Sequence, residues 1–136
     1  MCNQNDCSCL SDILCTIVKI QKQGQCADSG IMSCDRPFLG LNSVNTNILN
    51  TRPVSLYTCG TNSLWTMPYT LNGTTGTSSV FRCEAVEDCC ATLRVLAPNP
   101  DTASVYPYVA TDSFCTINLN CVGTLRCLDD TFIACI

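Results

Sequence analysis

The chain has 136 residues, of which 14 are cysteine and none histidine; 13% are Asp, Glu, Lys or Arg, and the formal net charge is −4. That length is enough for one domain with its own hydrophobic core. Seven scattered Lys and Arg argue against nucleic-acid binding, which needs a positive surface, and the missing histidine removes imidazole triads and the commonest metal ligand.

In chain order, Leu10, Ile13, Leu14, Ile17 and Ile20 recur at helical spacing, with Asp12, Lys19 and Gln23 on other faces. Asp6 and Ser8 are candidate caps and Gly24 a candidate stop. The apolar stripe is read as packing on the chain's own core, the alternative being a neighbouring copy. Gly30 to Thr51, rich in asparagine, reads as connection.

Arg52–Thr58 and Leu64–Leu71 read as strands separated by a turn at Cys59–Asn62. Asn72 to Ser79 is expected as a polar loop. Val80–Val86 and Cys90–Leu96 flank a short connection as in a hairpin, and Pro98 and Pro100 end it, because proline cannot donate to a ladder. From Cys115 to Cys127 apolar and cysteine residues take the odd positions and mostly polar ones the even, an alternation that predicts a dry and a wet face with a bend at Gly123. The expected fold is mainly β: an antiparallel β-sandwich or barrel-like domain with one N-terminal α-helix. Residues 1–136 are expected to form a single domain, with 1–30 an N-terminal helical arm and 31–136 a β-rich core.

Catalytic machinery is not evident, and an enzyme is not expected. Glu84 with Glu87 and Asp88, and Asp129 with Asp130, read as solvated carboxylates, while Gly73 and Gly76 lack the lysine and following helix of a phosphate loop. Structural zinc sites draw on C-x₂₋₄-C pairs; here Cys7-Ser8-Cys9 and adjacent Cys89 and Cys90 are too tight, and no CxxC occurs. No catalytic residue, metal site or cofactor is assigned, although a thiolate metal-binding or redox-buffering protein stands as the alternative class.

Cysteine is roughly a tenth of the chain, a density usual in small secreted domains. Yet the first residues carry neither a positive n-region nor an apolar h-region, so no signal peptide is expected. No run approaches the ~20 apolar residues of a membrane helix, so no membrane insertion is expected. The conflict resolves if the protein folds and assembles reduced and is oxidised later. Cys2, Cys7, Cys9 and Cys135, near the termini, are the candidates for intermolecular disulfides. Cys115, Cys121 and Cys127, on the dry face, are candidates for burial or intramolecular disulfides. Cys15, Cys26, Cys34, Cys59, Cys83, Cys89 and Cys90 are left unassigned. Adjacent Cys89 and Cys90 would point to opposite faces of a strand, so at most one faces the core.

Taken together, Cys34-Asp-Arg-Pro-Phe-Leu-Gly40, Asn50-Thr-Arg-Pro53, Phe81-Arg82, Cys90-Ala-Thr-Leu-Arg-Val-Leu96, Cys115-Thr-Ile-Asn-Leu-Asn-Cys121 and Cys127-Leu128 resemble the CotY/CotZ/ExsY family. These are cysteine-rich outer-coat, crust and exosporium proteins of Bacillus-type endospores, and the resemblance runs in order from about Cys9 to Leu128. It implies a structural protein made in the mother-cell cytoplasm and deposited on the spore surface. It further implies self-assembly into a hexagonal two-dimensional lattice of hexamers cross-linked by disulfides, with other coat or exosporium proteins as partners. Cys9, Cys26, Cys34, Cys90, Cys115, Cys121 and Cys127 fall on family-like cysteine positions, whereas Gly123 stands where a cysteine is expected and the His-rich tails of some relatives are missing.

Overall fold

The computed structural model describes residues 8–23 and 49–134. The helical stripe becomes α1 (Ser8–Gln23), with Leu14, Ile17 and Ile20 buried and Asp12, Lys19 and Lys22 exposed. Leu14 and Ile17 enter the main core, so the stripe does dock on its own chain; Ile20 joins Leu49 and Phe132 in a smaller cluster. Asp6, Gly24 and most of the connection from Gly30 to Thr51 lie outside the described residues.

Seven strands follow: β1 (Val54–Thr58), β2 (Met67–Leu71), β3 (Thr74–Ser78), β4 (Phe81–Glu87), β5 (Cys90–Pro98), β6 (Tyr108–Asn118) and β7 (Val122–Cys127). Five form a sheet in the order β6-β5-β4-β1-β7, and β2 with β3 forms a separate two-stranded ribbon. Every pairing is antiparallel. Along β5, Ala91, Leu93 and Val95 are buried at every second position, as strand geometry requires of one face. They cluster with Phe81, Cys83, Val54, Leu56, Ile117 and the two helix residues, while Trp65, Met67 and Tyr69 close the margin. The fold is therefore mainly β and antiparallel with one N-terminal helix. It is not a closed barrel, since β6 and β7 remain at opposite sides of the described sheet.

The β4–β5 hairpin holds as expected, closed by Asp88 and Cys89 between paired Glu87 and Cys90. Three local expectations change. The polar stretch Asn72–Ser79 contains β3: Asn72 (φ 52°) and Gly73 (φ 79°) both take the left-handed conformation that a two-residue hairpin turn demands. Pairing of Tyr69 with Gly76 then makes strands of residues that are mostly Thr and Gly. The first two strands are also shorter than expected, with Leu64 reduced to an isolated bridge to Tyr57.

The third change concerns the last segment. The alternation runs through Ile117 and Leu119, but a 3₁₀ turn at Leu119–Cys121, capped by the Asn118 side chain accepting from the Asn120 N–H, resets the phase. Val122 becomes the buried residue and Cys121 is exposed, and a bulge at Gly123, where the bend was expected, returns Leu125 and Cys127 to the inner face.

Two carboxylates read as solvated are structural. Asp130 forms a two-pronged pair with Arg52, at 2.8 and 3.1 Å, with side chains only 6% and 3% exposed. A register shift between Cys83 and Ala85 makes Glu84 the extra residue of a bulge. From there it bridges the facing Arg82 and Arg94 at 2.6 and 3.0 Å. Without that carboxylate the two guanidinium groups would oppose like charges across the ladder.

Candidate functional site: exposed and buried thiols

Chemistry in this chain rests on sulfur, and the sheet sorts the sulfur by access. Cys9, in the first turn of α1, is exposed. Cys59, Cys90 and Cys121 are exposed free thiols. Cys59 opens the turn after β1, where Gly60 takes φ +83°. Cys90 opens β5 opposite Asn118, while its neighbour Cys89, the second residue of the hairpin turn, packs against the core.

Cys83 lies at the other extreme. It is wholly buried opposite Leu93, and burial pushes its thiol up from 9.0 to about 12, with negative charge from Glu84 and Cys15 adding to the effect. The bulge beside it leaves its carbonyl to accept from Gln21 Nε2 at 2.9 Å, while Gln21 Oε1 accepts from the Arg52 N–H at 3.0 Å. Cys115, half-buried opposite Leu93 on the other neighbouring strand, is also raised by burial. Thiolate is the reactive form, so these two thiols are held in a less reactive state.

Cys89 and Cys127 are disulfide-bonded. They do not bond to one another. Val54 pairs with both Cys127 and Phe81, whereas Cys89 sits beyond the opposite end of β4, roughly 20 Å away at ~3.3 Å per residue. A disulfide requires α-carbons within about 7 Å.

The sequence-based grouping thus divides. Of the dry-face candidates, Cys115 and Cys127 are half-buried and Cys121 is exposed. Of the intermolecular candidates, Cys9 is exposed; Cys2, Cys7 and Cys135 lie outside the described residues, as do Cys26 and Cys34. Cys59 and Cys90 were unassigned yet are exposed, and only the turn residues Gly60 and Asp88 beside them hinted at it. Among the described residues no three His, Cys, Asp or Glu side chains gather as a metal ion would need. No described helix is long and apolar enough to cross a membrane.

A cysteine-rich β fold of this kind finds its place through the family comparison: the model of the family described as spore coat protein Z matches residues 1–109. The chain belongs to the spore coat protein Z family. No curated protein and no solved structure matches it. Membership makes the chain a structural component of the spore coat, acting among other coat components. The matched span runs from the helix into β6 and ends before Cys115, Cys121 and Cys127.

Proposed function

We propose that copies of this coat protein tile into a hexagonal two-dimensional lattice of hexameric rings on the spore surface, sealed afterwards by disulfides between copies. Synthesis in the mother-cell cytoplasm, and a place in the outer coat, crust or exosporium, belong to the same reading, as does a non-enzymatic role. The observation that carries it is the exposure of Cys9 and Cys90 on a spore-coat chain whose core is already filled by apolar side chains. Thiols that are not needed to close a core are available to other copies. Two further features favour association. Charged residues are only 13% of the chain, which weakens repulsion between copies, and β6 and β7 are outer strands of the described sheet, the part of a sheet most open to pairing with another chain.

In this scheme non-covalent contacts set the geometry and oxidation makes it nearly irreversible. Cys2, Cys7, Cys9 and Cys135 remain the terminal candidates for the intermolecular bonds. The test is expression in a reducing cytoplasm followed by electron microscopy of the concentrated protein before and after oxidation. Ordered two-dimensional arrays that survive boiling only when oxidised are expected. Soluble monomer at high concentration, with or without oxidant, overturns the proposal.

A further inference from the structure

Four features of the β1–β7 end converge on one pair of side chains. The ladder ends at Thr58 opposite Val122, after a register shift at Tyr57/Thr58 that leaves Gly123 as the extra residue. One step beyond, the Cys59 N–H donates to the Cys121 carbonyl at 3.1 Å. Backbones joined this way in an antiparallel pair hold their α-carbons about 5.5 Å apart, inside the ~4.4–6.8 Å span of disulfides. The Cys59 sulfur points across the gap rather than away from it, reaching 3.7 Å from the Asn120 carbonyl, whose peptide carries the Cys121 nitrogen.

Gly123 eases the approach. A Cβ there would lie 3.3 Å from the Cys59 α-carbon and 3.4 Å from the Thr58 oxygen, so a side chain would require the two segments to give by a few tenths of an ångström. Both thiols are free and exposed, so an oxidant has access to either.

We infer that Cys59 and Cys121 are a redox pair that closes into a disulfide within one chain when a low-molecular-weight disulfide is present. The thiolate of one cysteine attacks the S–S bond of that oxidant, forming a mixed disulfide and releasing one thiolate. The thiolate of the second cysteine then attacks the protein-bound sulfur and expels the other. One oxidant disulfide is reduced to two thiols, which take up the two protons that the cysteines give up, and one protein disulfide forms. The product ties the outer strand β7 to the turn that follows β1. The inference concerns the single chain and does not depend on whether copies tile.

Intramolecular closure has an effective concentration on the order of millimolar, so at micromolar protein it outpaces bonding between copies by roughly a thousandfold. The test uses the full chain, reduced and then exposed to oxidised glutathione, with remaining thiols blocked by N-ethylmaleimide before non-reducing peptide mapping. A mixture of ¹⁴N- and ¹⁵N-labelled protein distinguishes bonds within a chain from bonds between chains. A Cys59–Cys121 linked peptide of uniform isotope, lost in both Cys59→Ser and Cys121→Ser, is expected. In each variant the remaining cysteine should carry glutathione or maleimide. Because both positions are exposed, the variants should keep the parent near-UV circular dichroism. Isotopically mixed Cys59–Cys121 peptides overturn the inference, as does Cys121 bonded instead to Cys90. So does recovery of both cysteines as maleimide adducts after oxidation is complete.

Discussion

The buried thiol of Cys83 makes the stability of this coat protein depend on alkali in a calculable way. In the unfolded chain the thiol ionises near 9.0, and in the folded chain near about 12. Below pH 9 the group is protonated in both states, and its contribution to stability is present in full. As pH rises from 9 towards 12 the unfolded state loses the proton while the folded state keeps it, so folding weakens. Three units at 1.36 kcal/mol each give about 4 kcal/mol by pH 12, and about 2 kcal/mol by pH 10.5. Cys83→Ala removes this dependence at a cost of roughly 1 kcal/mol near neutrality for the lost sulfur packing. Urea unfolding of both proteins under a phosphine reductant, between pH 8.5 and 10.5, measures the difference. The parent should lose about 2 kcal/mol more than the variant over that range. Cys115 and Tyr108, both also raised by burial, leave a smaller slope common to the two. Parallel pH profiles would refute the claim that Cys83 stays a buried neutral thiol.

Two other substitutions test the frame that holds the thiols. Asp130→Ala leaves the Arg52 guanidinium buried without its carboxylate, which should cost about 3–5 kcal/mol in urea unfolding, whereas an Arg52→Met, Asp130→Leu double variant should recover most of that loss. Gly73→Ala places a Cβ at φ +79°, where nothing lies within 4 Å to clash, so the penalty is conformational alone, about 1–2 kcal/mol, and Asn72→Gly should be nearly neutral in the same assay.

The parts of this fold that were legible beforehand share a cause: each depends on a short stretch of chain. Ile13, Leu14 and Ile17 mark the inner face of α1 because helical geometry alone brings them together. Glu87-Asp88-Cys89-Cys90 announces its hairpin because the flanking strands alternate and the connection is short. Strand β3 was missed for the converse reason. Thr74–Ser78 consists entirely of Thr, Gly and Ser, with no apolar alternation to mark it, although Asn72-Gly73 carried the turn signal. Asp130 was misread because its partner Arg52 is distant in sequence, and the two meet only when Thr131 bridges Thr51 beside them.

The cysteines divide along the same line. Sequence by itself determined that this is a low-charge, cysteine-rich chain with a helix at its start and antiparallel strands after it, and its motifs pointed to the spore coat. Only the tertiary structure decided which thiols meet solvent. Cys83 and Cys121 both lie in or beside strand-like stretches, yet one is sealed between α1 and the sheet while the other is turned outward by three residues of 3₁₀ helix. Exposure depends on what packs against a residue and on where the alternation is reset, and both are set by contacts between segments far apart in the chain.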